Sequence, residues 1–358
     1  MLTINVDLTV PVMHFQLVVY TPALLSPALV ASLTEVGNKL KTGEDPARPL
    51  KTALALLSDI DPGHVARVDG EIAAAADLHR QVHLSPLSRL FTRQPSGAAQ
   101  LLRTPGLEYL FIFHRDGRLR EAALLKVTGG LPNPFLFAAV LWRLNDWAEP
   151  VRQAATRCAN RSFPITDPGI VAQTAAELLV RQASWRRWRE ERAIIDQVFG
   201  RSDVAAELAG LMSSATTGPQ ASTLRYALRT PALDRHLETL AFYATQPAVR
   251  AVALAALIDG KAEWPSGKAW RWIDKTYGLR RRETTFDHRP LARTVSRQNF
   301  IARGVADKSA VVRRVALTGI IRHMLDTTDA RAWAASLLSD RSKSVRERAE
   351  FIVRHLPT

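Results

Sequence analysis
The chain has 358 residues, 47% of them hydrophobic and 7% aromatic, and a formal charge of +14. That is ample material for a core, and a preponderance of alanine and leucine over aromatics favours close-packed helices over sheets. The single cysteine, Cys158, excludes an intrachain disulfide and fits a reducing, cytoplasmic setting.

The N-terminus MLTINVDLTV lacks the basic start and apolar run of a signal peptide. Residues 8–34 hold no Asp, Glu, Lys or Arg, but Pro11, Pro22, Pro27 and His14 interrupt them, so no membrane span is expected. LTINVDLTV alternates apolar and polar residues, which predicts a short strand. Helices are predicted over 27–41, 47–59 and 70–83, separated by proline-containing breaks. Residues 1–95 are thus read as a mostly helical cap with a possible strand, and 96–358 as the main body. The first hundred residues hold 8 Lys+Arg and 9 Asp+Glu, so all the excess positive charge lies beyond them. A basic body attracts nucleic acid, anionic lipid or acidic protein. Yet 39 of the 48 basic residues are arginine, as genome composition alone can produce in an Ala/Arg-rich chain.

The body repeats itself. RLREAALLK (118–126), PVRQAATRC (150–158), AVRAVALAAL (248–257), VVRRVALTGI (311–320) and SVRERAEFIV (344–353) align on Arg120, Arg152, Arg250, Arg313 and Arg346. Their spacings are close to multiples of about 32 or 33 residues, the period of a repeated helical hairpin. Val312, Val315, Ala316, Gly319 and Ile320 form one apolar stripe, as do Val249, Val252, Ala253, Ala256 and Leu257, and Val345, Ala349, Ile352 and Leu356. Cys158 falls on the equivalent stripe and reads as a small core residue. Asp146, Asp307 and Asp340 each stand six residues before the arginine of their unit. Such an aspartate, in the turn before the second helix, can cap exposed N–H groups. Stacked units would bring it to an arginine of its own or an adjacent turn, a structural ladder of Asp146, Arg152, Arg250, Asp307, Arg313, Asp340 and Arg346.

The turn aspartate, the Val-Arg six residues on and the following alanine resemble the HEAT repeat family. The resemblance covers about residues 98–358; it is clear in 140–160 and 300–356. It is weaker at 116–127, where Asp116 stands four residues before Arg120, and at 245–258, where the aspartate is missing. The resemblance implies an all-α solenoid: a right-handed stack of helix pairs whose second helices line a concave face.

Between Arg250 and Arg313, residues 261–290 occupy the slot of one repeat without its apolar stripe. Trp264, Trp270, Trp272, Tyr277 and Phe286 alternate there with Lys261, Lys268, Arg271, Lys275, Arg280, Arg281, Arg282 and Arg289. Two readings stand. In one, the segment is a binding loop whose aromatics stack on bases while its cations meet phosphates. In the other, it is a degenerate repeat whose tryptophans pack onto the stack. In WRRWREER (185–192), Trp185 and Trp188 share a helix face and read as core.

There is no Gly-rich phosphate loop and no CxxC. HRQVH (79–83) sets His79 and His83 on one helix face but lacks the glutamate of HExxH. No catalytic, cofactor or metal residue is therefore assigned. The first functional expectation is a non-enzymatic scaffold that binds a protein. The alternative is a nucleic-acid-binding solenoid. A third reading comes from resemblance only: some HEAT-like proteins are alkylpurine DNA glycosylases, but none of their site residues is matched here.

Overall fold
A computed structural model describes residues 24–79, 96–181, 185, 191–291, 296–323 and 328–355. The strand expected in LTINVDLTV, and with it His83, Trp188 and Leu356, lies outside them.

The first region contains α1 (Pro27–Thr42), α2 (Ala47–Leu57) and α3 (Val65–Ala75). Then come α4 (Gly97–Arg103), α5 (Leu107–Phe111), α6 (Gly117–Lys126), α7 (Pro134–Arg143), α8 (Glu149–Ser162) and α9 (Pro168–Arg181). α10 (Glu191–Phe199), α11 (Ser202–Ser214), α12 (Gln220–Ala227), α13 (Leu237–Tyr243) and α14 (Pro247–Asp259) follow. The last four are α15 (Arg297–Val305), α16 (Ala310–Arg322), α17 (Thr328–Ala335) and α18 (Lys343–His355). The chain is mostly helical, but it is not purely α. Residues 261–290 form two antiparallel strands, β1 (Lys261–Asp274) and β2 (Leu279–Pro290).

Local chemistry sets the helix ends. Ser26 accepts the Leu29 N–H at the start of α1, and Gly43, at φ 77°, closes its other end in the left-handed region. Asn133 caps α7, which opens with Pro134. The helix predicted over 70–83 begins earlier and ends at Ala75. Asp77 adopts φ 48°, and the Leu78 N–H turns back to the Ala73 carbonyl, which satisfies the helix end and turns the chain away. α1 crosses this end closely: a Cβ on Gly37 would lie 2.4 Å from the Ala76 oxygen.

α7 is apolar all round, and Phe135 through Leu141 are buried. Such a helix must sit at the centre of a body rather than on its surface. Later, α13 lies on α14, α15 on α16 and α17 on α18. The second members also pack in order, α14 on α16 and α16 on α18, and α12 packs on α14 before them. Val249, Ala253, Val312, Ala316, Gly319, Val345, Ala349 and Ile352 are buried between them. Val252 and Val315 are only half-buried and line a groove instead. One apolar cluster runs from Leu25 to Ile352, so α1–α3 share their core with the rest. No helix among the described residues is long and apolar enough to cross a membrane.

Arginines join neighbouring units through a recurring pattern. Arg250 donates from Nε and Nη2 to both carboxylate oxygens of Asp307, each at 2.9 Å, and from Nη1 to the carbonyls of Ala244 and Thr245. Arg120 does the same to Asp146 and to the carbonyls of His114 and Arg115. Arg313 bonds Asp340 and the Asp307 carbonyl. Each guanidinium therefore bonds the carboxylate of the following unit and the carbonyls of its own turn. Asp146, Asp307 and Asp340 in turn accept the N–H two residues on, from Ala148, Ser309 and Ser342. Arg152 bonds its own-turn carbonyls at Asp146 and Trp147 and faces Glu191, not an aspartate, at 3.8 Å. Arg346, in the last helix, bonds the carbonyls of Asp340 and Arg341. Arg143 adds a link: it bonds Asp146, the Ile112 carbonyl and Asp69 on α3.

Other arginines bond exposed helix-end carbonyls. Arg161 reaches those of Leu124, Leu125 and Val127 at the end of α6, and Arg201 those of Phe163 and Thr166 after α8. A cation there satisfies orphan acceptors and complements the helix dipole. Part of the chain's positive charge is thus absorbed inside the fold.

Candidate functional site
The segment 261–290 is neither a loop nor a degenerate helical repeat. Gly260, at φ 68°, ends α14, and β1 leaves at once. The two strands pair from Lys261–Pro290 to Asp274–Leu279 and make a ribbon about 40 Å long at the usual rise per residue. Asp274 shapes the tip by accepting the Thr276 and Tyr277 N–H groups, and Gly278 takes φ 65°.

The root of the ribbon is anchored. Ala262 is fully buried, and the Leu291 N–H bonds the Gly260 carbonyl. Arg289 bonds both carboxylate oxygens of Asp234 and the carbonyls of Leu228 and Thr230. Beyond the root the ribbon stands in solvent. Trp270 is 57% exposed, Trp272 51% and Tyr277 78%.

Strand geometry sorts its side chains onto two faces, because directly paired residues share a face and alternate residues do not. Trp270 pairs with Arg282, Trp272 with Arg280, and Lys268 with Thr284. These six make one face. The Arg280 guanidinium lies 4.7 Å from the Trp270 ring centre and 6.0 Å from that of Trp272; Arg282 lies 5.8 Å from Trp270. The opposite face carries Arg271 and Arg281 with Glu283 bonded to both, at 3.3 and 2.7 Å. Those two hydrogen bonds hold the Glu283 carboxyl below its ordinary range. One face is therefore cationic and aromatic, while the other is internally paired. Lys275 and Tyr277 sit at the tip, and Trp264 lies half-buried near the root opposite Asp287.

The same root borders a groove of about 270 Å³. Its floor includes Ala248, Ala251 and Ala255 of α14; Arg225 of α12 and Arg314 of α16 line it from the flanking helices. Lys261, Glu263 and Asp259 complete the rim beside the ribbon. Glu263 is bonded by Lys261 at 2.5 Å, and Asp259 by Arg322 and by His323 at 2.9 Å.

The remaining residues singled out in the sequence lie elsewhere. Cys158 is buried, and burial pushes its thiol up to about 11, which makes it a poor nucleophile. Trp185 packs edge-on against Trp142, with ring centres 5.1 Å apart. His79 lies 3.5 Å from Asp77. Sequence reasoning did not find the groove, Arg225, Arg314 or Arg143. It also missed the ribbon, although the alternation Trp270-Arg271-Trp272, the run Thr284-Thr285-Phe286 and the turn at Asp274–Gly278 are strand and hairpin signals.

Comparison of the chain with family models, with curated proteins and with solved structures gave no match.

Proposed function
We propose that this chain is a HEAT-like stack of helical hairpins, capped by its N-terminal helices, that binds nucleic acid through the 261–290 ribbon. The observation that carries the reading is the ribbon face made of Lys268, Trp270, Trp272, Arg280, Arg282 and Thr284. Exposed indole rings offer stacking platforms to bases whatever the sequence. Lys268, Arg280 and Arg282 stand beside those rings, while Glu283 is on the other face, so their charge is available to phosphates. The Trp–Arg contacts brace the two strands, but they leave both rings half or more exposed, and large exposed apolar groups mark interaction surfaces. The groove beside the root contributes further cations.

The test is a titration of the purified chain with labelled single-stranded and duplex DNA and RNA, from low to physiological salt. Wild type should bind with a steep salt dependence. Trp270→Ala with Trp272→Ala should weaken single-strand binding tenfold or more, given about 1–3 kcal/mol per stacked base. Replacing Arg280, Arg281 and Arg282 by alanine should weaken binding to single strand and duplex alike. Absence of binding at low salt would refute the reading.

A second reading has its own observation. Ile273 is 65% exposed and Leu279 54%, and with Tyr277 they give the ribbon tip an apolar, aromatic character suited to a protein partner. A scaffold role would be indicated by a salt-insensitive protein complex lost on Tyr277→Ala and retained by the Trp270 and Trp272 variants.

A further inference from the structure
We propose that the groove at the root of the ribbon is a phosphate subsite, walled by Arg225 and Arg314, for the backbone of the strand that the ribbon engages; the proposal rests on the nucleic-acid reading above. The first observation is a guanidinium without a partner. Arg120, Arg143, Arg250, Arg289 and Arg313 each bond a carboxylate. Arg225 is half-buried, lines the groove, and bonds no carboxylate or carbonyl among the described residues. A guanidinium only partly in water and with no carboxylate at bonding distance has donors left for an anion, and partial burial strengthens its attraction to one. Burial accordingly pushes the Arg225 guanidinium below its ordinary value, and Glu263, too distant to form a salt bridge, only opposes the shift.

The second observation is the charge of the groove. Its two carboxylates are each bonded to other cations, Glu263 to Lys261 on the same rim and Asp259 to Arg322 and His323. Arg314 is exposed on α16 and likewise has no carboxylate partner among the described residues. The uncompensated charge is therefore that of Arg225 and Arg314, on opposite sides of the α14 floor. That floor is alanine at 248, 251 and 255, so a chain can approach the helix closely while both guanidinium groups reach its oxygens. A planar guanidinium donates two parallel bonds to a phosphate, which a point charge cannot do. The floor offers no ring for a base to stack on, so this subsite reads the backbone while the ribbon reads the bases.

The experiment uses the full chain, a labelled oligothymidylate, and an abasic sugar–phosphate oligomer of equal length. Arg225→Gln should reduce the slope of log K against log salt by about 0.7 on both, the value for one lost single-strand phosphate contact. Trp270→Ala with Trp272→Ala should weaken thymidylate binding and leave the abasic oligomer and the slope unchanged. Because Arg225 bonds no carboxylate or carbonyl among the described residues, Arg225→Gln should melt no lower than wild type; Arg314→Gln is the second variant, with the same expected change in slope. Wild-type slopes in both arginine variants would overturn the subsite and leave the ribbon standing. In parallel, tripolyphosphate should raise the melting temperature of wild type more than that of Arg225→Gln; equal protection also overturns the subsite. If wild type binds neither oligomer while this difference in protection persists, the nucleic-acid reading fails and the anion subsite stands.

Discussion
Arg250→Ala should be among the most damaging single substitutions in the second half of the chain. The Arg250 side chain is 3% exposed and that of Asp307 12%, so both charges are largely out of water. Truncation removes two bonds to the carboxylate and two to the Ala244 and Thr245 carbonyls. Among the described residues, Asp307 then keeps only the Ser309 N–H at 2.7 Å. Removing one partner of a buried pair costs about 3–5 kcal/mol, chiefly because the other charge is stranded. The chain contains its own control. Among the described residues Arg346 bonds only the carbonyls of its own turn, so its loss strands no described carboxylate. Arg346→Ala should therefore cost about 1 kcal/mol, the worth of ordinary hydrogen bonds. Replacing the pair together, by Arg250→Met with Asp307→Leu, should recover the part of the loss due to the stranded charge, but not the bonds to the Ala244, Thr245 and Ser309 backbone. Denaturant unfolding followed by circular dichroism measures all three through the shift in midpoint. Equal costs for Arg250→Ala and Arg346→Ala, within about 0.5 kcal/mol, would refute the stranded-charge argument. So would a double variant no more stable than Arg250→Ala.

Acid should destabilise the protein in two separate windows. Burial holds the His114 imidazole down at about 4, against 6.5 ordinarily, so folding favours its neutral form. That contribution is complete above pH 6.5 and is lost as pH falls towards 4, about 3 kcal/mol in all. His114→Asn, which keeps an acceptor for the Asp116 N–H, should flatten the midpoint over this range; an unchanged slope counts against the assignment. Asp340 acts lower down. The Arg313 hydrogen bonds hold its carboxyl below the ordinary range, so its contribution is present above about pH 4 and lost as pH falls further. Asp340→Asn should shrink that lower limb, to which Asp77 and Asp203 also contribute, and leave the His114 window intact. At the ribbon root, Arg289→Ala removes the bonds to Asp234, Leu228 and Thr230. Trypsin should then cut within 261–290 sooner, with little change in global melting; unchanged cleavage would mean that Ala262 and the strand pairing suffice to hold it.

The amino-acid sequence determines the helical units of this protein because their signals are local and repeated. Val312, Ala316, Gly319 and Ile320 are buried at the spacing of one helix face, and the aspartate–arginine pairs recur at the start of second helices. Which aspartate each arginine takes was open in the sequence. Own-turn and next-turn partners fit the spacing equally, and only packing of one unit on the next carries the Arg250 guanidinium across to Asp307, 57 residues away. The ribbon shows the opposite balance. Its strand signals are local, but the repeat period around it favours another helical pair, and α14 reaches α16 directly without one. The groove was hidden altogether. Arg225, Arg314 and Lys261 come from three separate elements, and nothing in their spacing shows that they meet. Whether an arginine finds a carboxylate is likewise decided in three dimensions. Sequence supplies the charge, but only the tertiary structure decides that Arg250 meets a carboxylate and that Arg225, among the described residues, bonds none.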